Sequence, residues 1–329
     1  MRALFLTSGA DDPSTRYRVR PVADAWRAEG GDAVELPMPP AGRERRLMFK
    51  DASSFDVVML QRRLIAPLDA LRLAAQCRRL VFDFDDALPF RDDGRASRVR
   101  TLKFRALVRS ADCVLAGNAN LAALARRFRA RTVRVVPTTV PVPVEPEPIR
   151  SDGGPLRLGW IGSRSTLRYL KTLERPLAAL ARRRTGWTLR VVCDDFPDFE
   201  GVPVEKVPWS EATENGAIAG FDIGLAPLTD DPWARGKCGL KILQCFAAGR
   251  PVVASPVGVQ STLIGANERG RLASSPQQWI ESLETLLDDS SERVISGRAA
   301  HAFVATQLDR GRWSLEAARA MGALSPSLA

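Results

Sequence analysis

The sequence predicts an α/β protein with two doubly wound, mostly parallel sheets facing a cleft. Three observations predict it. Short apolar runs alternate with amphipathic stretches of helical length through both halves of the chain, the pattern of parallel strands joined by crossover helices. Five prolines fall in the twelve residues from Pro137 to Pro148, and proline is excluded from helix interiors and central strands, so an extended connector separates the halves. The alternation then restarts within a chain of 329 residues, a length that suits two ordinary domains.

In the first half, strands are expected at Arg2–Thr7, Asp56–Gln61, Leu80–Phe84, Cys113–Ala116 and Val133–Val136. Helices are expected at Arg20–Gly30, Leu68–Cys77, Arg95–Ser110 and Asn120–Phe128. In the second half, strands are expected at Leu156–Ile161, Leu189–Cys193, Ile223–Ala226 and Pro251–Ala254. Its helices are expected at Thr166–Ala181, after Ser210, and at Leu240–Ala248, Pro276–Asp288, Ser291–Leu308 and Arg312–Met321. The reading gives Rossmann-like domains over 1–137 and 151–308, a linker over 138–150, and a closing segment, 309–329, packed back on the first domain. Ligands of such sheets bind beyond the carboxyl ends of the strands.

Composition narrows the chemistry. Hydrophobic residues make up 45% and charged residues 26%, as in a globular protein. No apolar run reaches the ~18 residues of a membrane span. Met1–Thr7 reads as a strand and not as a secretory leader, which leads to the expectation of a cytoplasmic protein. Five scattered cysteines without a CxxC pair indicate neither a disulfide framework nor a zinc site. His301 is the single histidine, so a histidine triad or a multi-histidine metal site is excluded. No GxGxxG is present, which argues against a dinucleotide cofactor. Residues 1–150 carry 27 Lys and Arg against 18 Asp and Glu, and the remainder 21 against 20, so the basic excess points to an anionic partner of the first half.

Five features carry chemistry. Gly162-Ser163-Arg164-Ser165-Thr166 follows a strand and opens a helix. It reads as a phosphate-binding turn at a helix N-terminus or as an ordinary helix cap. Lys237 and Lys241, two of only six lysines, recur at helical spacing with Gln244. Cations at that end of a helix are disfavoured by the dipole, so a bound anion is the expectation. Asp83, Asp85 and Asp86 crowd a strand end, as cation ligands, sugar-hydroxyl acceptors or partners of arginine. Ser14, Arg16 and Arg18 follow the first strand, as an anion clamp or an exposed helix start. The stretch holding Arg91, Arg95, Arg98, Arg100, Lys103, Arg105 and Arg109 is interleaved with Leu102, Phe104, Leu107 and Val108. It reads as a docking face for an anionic membrane, placing the protein at the inner face of the membrane, or as a solvated helix. No nucleic-acid-binding motif appears.

The run Phe221–Leu228, followed by Lys241-Ile242-Leu243-Gln244-Cys245-Phe246-Ala247-Ala248-Gly249-Arg250-Pro251-Val252-Val253-Ala254-Ser255-Pro256-Val257-Gly258, is similar to the donor-site segment of GT-B-fold glycosyltransferases of the retaining family 4 type. Ala111–Ala116 and Val133–Thr139 resemble that family's last N-domain strands. The resemblance implies sugar transfer with retention from a nucleoside-diphosphate sugar, UDP- or GDP-linked ahead of ADP- or dTDP-linked, with no required cofactor or metal. It places Gly162, Ser163, Arg164, Ser165 and Thr166 at the diphosphate, with Lys237 and Lys241 adding charge there. Gln244, Val257 and Gly258 fall in the donor site, and Ser14, Arg16, Arg18, Asp83 and Asp86 on the acceptor side, with Asp85 among the catalytic candidates.

Two departures stand out. The family's usual Glu, seven residues, Glu becomes Gly236 and Gln244, and its N-domain histidine is absent. A non-catalytic sugar-nucleotide or glycan binder is therefore the alternative reading, and a sugar-nucleotide epimerase a further one. Trp209 reads as a base-stacking ring or as core.

Overall fold

The computed structural model describes residues 1–146 and 153–322. Linker residues 147–150, the first two residues of the expected second domain, and residues 323–329 of the closing segment lie outside it. Contacts divide the chain into two compact units: Met1–Thr139 with Asp231–Cys238 and the residues from Leu308 onward, and Val140–Asp230 with Gly239–Gln307.

The first unit holds β1 (Arg2–Thr7), β2 (Asp32–Pro37), β3 (Val57–Gln61), β4 (Leu80–Phe84), β5 (Cys113–Ala116) and β6 (Val133–Val135), all parallel, in the order β2-β1-β3-β4-β5-β6. Strand alternation sends Leu4, Leu6, Val58, Leu60, Phe82 and Phe84 into one core layer. Ala3, Phe5, Val57, Met59 and Val81 enter the layer on the other face. That second layer is closed by helices Arg20–Ala28 and Arg310–Met321, which pack together and bury Ala317, Ala318 and Met321.

The second unit holds β7 (Leu156–Ile161), β8 (Trp187–Cys193), β9 (Val204–Pro208), β10 (Ile223–Ala226), β11 (Val252–Ala254) and β12 (Gly270–Leu272), again parallel, in the order β12-β11-β10-β7-β8-β9. Leu158, Leu189, Val191, Ile223 and Leu225 pack against helices Glu174–Arg183 and Pro276–Asp288. His301, on helix Ser290–Gln307, sits with Nε2 3.0 Å from the carbonyl of Pro143 in the proline-rich segment.

Three differences from the sequence reading bear on the site. The helix expected over Thr166–Ala181 is broken: a single tight turn over Arg164–Thr166 leads into a short helix, Leu167–Lys171, and a new one starts at Glu174. The basic helix starts at Arg98 and not at Arg95, because Ser97 caps it by accepting from the Arg100 N–H. Residues Asp231–Cys238, expected in the second domain, group with the first unit.

Candidate functional site

In the first unit the site grows from the alternation Phe82-Asp83-Phe84-Asp85 at the end of β4. Phe82 and Phe84 turn to one face and stack 5.4 Å apart, with Phe104 edge-on to Phe84 at 5.1 Å. Period-two geometry then sends Asp83 to the opposite face, where Arg18 meets it with Nε at 3.0 Å and Nη2 at 2.5 Å. The two side chains are 3% and 2% exposed. Arg18 also donates to the carbonyl of Val136 at 2.9 Å and to Thr138 Oγ1 at 3.4 Å. Although burial works against its charge, Asp83 holds the guanidinium protonated well above the usual arginine value. The expected arginine clamp therefore spreads out: Arg18 is a buried structural partner, while Arg16 lies over the Tyr17 ring and Arg20 donates to the Ala10 carbonyl. A π-helical turn over Thr15–Val19 sets these directions.

Asp85 and Asp86 stand beyond the strand. Ser14 Oγ donates to Asp85 at 2.5 Å, and Arg62 donates to Ser14 Oγ at 2.6 Å and to Asp86 at 2.5 Å. Arg62 follows β3, one strand over, and its φ of 38° is left-handed, a strained conformation that non-glycine residues adopt where the surroundings impose it. The sequence reading passed over Arg62; its place at the carboxyl end of a strand adjacent to β4 was the signal available. Among the described residues no group of three His, Cys, Asp or Glu side chains is placed to hold a metal ion, since each of these carboxylates already meets a cation.

Burial pushes the Asp85 carboxyl up, but Arg62, Arg18, the Ser14 hydroxyl and Lys237 together hold it below the usual 3.8. A depressed carboxylate stabilises the fold above its unfolded value, and that contribution is lost as pH falls through the lower folded value. Urea unfolding at a series of pH values below 4 should therefore show Asp85→Asn losing less stability on acidification than the wild type. Equal losses would contradict the assignment.

Segment Asp231–Cys238 is held in the first unit by side chain to backbone bonds. Asn118 Nδ2 donates to the carbonyls of Gly236 at 3.0 Å and Lys237 at 3.3 Å, and Asn120 donates to that of Arg235 at 3.1 Å. The Trp233 ring lies below both Arg100 and Lys237. Cys238 donates to the Asp85 carbonyl at 3.3 Å, and burial pushes its thiol up to about 12, so it stays protonated. The sequence expectation that Lys237 and Lys241 share a helix face is corrected here. Gly239, with φ of 73°, turns the chain, and helix Leu240–Ala247 begins only after it. Lys237 lies on extended backbone with Nζ 3.3 Å from Asp86.

In the second unit, Lys241 holds Nζ 5.2 Å from the centre of the Trp160 ring, a favourable cation–π distance. The same indole covers Gly162: a β-carbon there would fall 2.2 Å from Trp160 Cη2. The structure thus brings Lys241 and the Gly162 turn together around one ring. Ser163, Arg164 and Ser165 are exposed, with the two serine hydroxyls 3.0 Å apart and Thr166 Oγ1 accepting from the Ser163 N–H at 3.1 Å. The Arg164 N–H donates to Asp194 at 2.8 Å, and its side chain pairs with Asp195 at 3.2 Å on the surface. With only five residues in the helix that follows, its dipole adds little for an anion. Lys241 and the serine hydroxyls are the stronger groups.

Gln244, one turn beyond Lys241, donates through Nε2 to buried Glu214 at 2.8 Å, and Trp209 Nε1 donates to the other Glu214 oxygen at 2.8 Å. Glu214, on helix Glu214–Ala219, was missed from sequence, because nothing in its spacing ties it to Gln244. Trp209 is partly exposed and not core. Buried Val257 and Gly258, whose φ is 60°, form the turn beyond β11.

Two six-stranded parallel sheets in this order define the GT-B glycosyltransferase fold. Residues 157–289 match the family model described as Glycosyl transferases group 1. A 64-residue stretch is 39% identical to D-inositol 3-phosphate glycosyltransferase from Corynebacterium aurimucosum, covering 19% of this chain and 15% of that protein. Among solved structures, sucrose-phosphate synthase from Thermosynechococcus elongatus is similar with a TM-score of 0.71 at 15% identity, over 97% of both chains. HepE from Anabaena, solved with UDP and glucose, gives 0.71 at 14% over 98% of this chain and 100% of its own. WaaG, a glycosyltransferase involved in lipopolysaccharide biosynthesis, gives 0.71 at 16% over 98% and 100%. At these identities the structural likeness is one of fold. The segment 157–289 is thus similar to group 1 glycosyltransferases, and the chain shares the GT-B fold.

Proposed function

We propose that the chain transfers a sugar, with retention, from a UDP- or GDP-sugar to a glycan, lipid-linked or small-molecule acceptor. The observation that carries this reading is Lys241 set over Trp160 beside the Gly162 turn, inside the segment that matches the family model. The departing diphosphate develops negative charge, and a preorganised cation with adjacent hydroxyls stabilises it. HepE, solved with UDP-glucose, supports a nucleotide-sugar donor. Asp85 and Asp86 are proposed on the acceptor side, where carboxylates accept hydrogen bonds from sugar hydroxyls. The test is release of nucleoside diphosphate from a panel of nucleotide sugars, with and without sugar acceptors.

Glu214 is proposed to orient Gln244. A carboxylate accepts only, so it fixes the Gln244 amide with its NH₂ toward Glu214 and its carbonyl toward the donor ribose. Glu214→Ala should weaken nucleotide binding by about 1.5–3 kcal/mol, roughly tenfold or more in Kd. Calorimetry showing unchanged affinity would remove Glu214 from the donor site.

One observation favours the non-catalytic alternative. Gly236 stands where the resemblance expects the first glutamate, and a β-carbon there would lie 2.6 Å from that of Ala87 and 2.8 Å from its backbone nitrogen. No side chain fits, so no carboxylate can be restored at that position. Nucleotide binding without donor turnover would establish the binding role instead.

A further inference from the structure

Each sheet has two edge strands, and three of the four carry only paired charges. On β2, Asp32 meets Arg2 and Glu35 meets Arg27. On β9, Glu205 meets Arg190 and Arg157, and Lys206 meets Asp198. On β12, Arg271 meets Glu292. The fourth edge, β6, differs: among the described residues no carboxylate meets Arg134. Val114 donates to the Thr132 carbonyl and Val136 to that of Ala116, both at 2.9 Å, so residues 132, 134 and 136 turn their backbone groups toward β5. Val133 and Val135 turn theirs the other way, where no strand of the sheet pairs them.

A groove of about 340 Å³ runs along this edge, lined by Arg134, Val135 and Val136 on one side and by Glu316, Arg319 and Ala320 of helix Arg310–Met321 on the other. Register places Arg134 beside Leu115, on the face that this helix closes, so Arg134 and Arg319 belong to the same side of the sheet. Val133 and Val135 alternate to the opposite side, and Val135 is 39% exposed. One carboxylate, Glu316, lines the groove against those two guanidiniums. A third guanidinium, that of Arg79, donates to the Ala320 carbonyl at 3.2 Å and leaves its buried Nε without a hydrogen-bond partner. The approach is basic as well. Residues 113–144 contain five arginines and no acidic residue, and Arg126, Arg127, Arg129 and Arg131 are exposed just before the strand.

We infer that β6 accepts an extended acidic segment of a partner protein as an added strand, with the acidic side chains of that segment meeting Arg134 and Arg319. Strand addition supplies main-chain hydrogen bonds to the outward groups of Val133 and Val135, and alternate side chains set the specificity. A segment alternating acidic and apolar residues fits both sides: carboxylates in the groove, apolar side chains beside Val133 and Val135. An unpaired charge on an edge strand guards it against strands of like charge, and the same charge anchors a strand of opposite sign. A second copy of the chain is a poor occupant. Antiparallel pairing of this three-residue strand about its centre sets Arg134 opposite Arg134, and like charges directly opposite are destabilising. The contact goes beyond the proposed sugar transfer and does not depend on it.

The test is calorimetric titration of the full chain with a synthetic octapeptide alternating glutamate and valine, blocked at both ends. The chain should bind it, and amide hydrogen exchange should then slow at Val133 and Val135. The same peptide methylated on every backbone nitrogen keeps its charge but has no N–H to donate, and it should not bind. Arg134→Glu with Arg319→Glu should weaken binding by about tenfold, with an unchanged melting temperature because both side chains are exposed. That double variant should instead bind a lysine–valine peptide, which the wild type does not. Absence of binding by wild type overturns the inference. So does equal binding of the methylated peptide, which would mark mere attraction of a polyanion. Slow exchange at Val133 and Val135 in a wild-type dimer without peptide would overturn it as well, and would make a second copy the occupant.

Discussion

Replacing Arg18 with alanine will lower the unfolding free energy by about 3–5 kcal/mol, the loss expected when one partner of a buried ion pair is removed. The size follows from the geometry: two donors of one guanidinium meet both Asp83 oxygens, at 3.0 and 2.5 Å, away from water. Alanine leaves the carboxylate buried without its counter-charge and also strips donors from Val136 and Thr138. Urea unfolding measures the effect. A companion variant sharpens it: Arg18→Met with Asp83→Leu should recover most of the loss, since apolar side chains often replace a buried pair at little cost. A single-variant loss under about 1 kcal/mol, the range of exposed pairs, would show that water reaches Asp83.

Lys241→Ala will weaken nucleoside-diphosphate binding by about 2–3 kcal/mol, roughly 30- to 150-fold, with the fold intact. The lysine is held over Trp160, so its charge is placed before any ligand arrives. Lys237→Ala supplies the contrast. Its ammonium pairs with Asp86 and lies over Trp233 in the first unit, not over the Trp160 ring beside the Gly162 turn, so its removal should leave nucleotide affinity within about twofold. Calorimetric titration of both variants decides the matter, and equal weakening by the two would contradict the division made between the lysines.

Much of this fold was legible because its central strands are buried on both faces. Cys113–Ala116 and Ile223–Ala226 read as continuous apolar runs, as parallel strands do. The three strands that escaped, Asp32–Pro37, Val204–Pro208 and Gly270–Leu272, all lie at sheet edges. Edge strands keep one side in water and carry charge, here Asp32, Glu35, Glu205, Lys206 and Arg271, so their apolar pattern is diluted. The site was legible by type and not by partner. The aspartates at the end of β4 were visible, but Arg62 just past the neighbouring strand and Lys237 across 151 residues come together only through folding. The shared helix face for Lys237 and Lys241 failed for a local reason: Gly239 turns the backbone before the helix starts. Glu214 was invisible because its partner Gln244 lies thirty residues away with no motif joining them.

The most direct test of the account is a thermal shift of the purified chain against UDP, GDP, ADP and dTDP, without metal and then with Mg²⁺. A ligand that binds only the native state raises apparent stability by mass action, about 2.7 kcal/mol at a hundred times its Kd. The account predicts a rise with UDP or GDP that does not require the metal and that Lys241→Ala reduces to a small residue. No rise with any of the four nucleotides would contradict the donor site built around Trp160, and with it the proposed transfer.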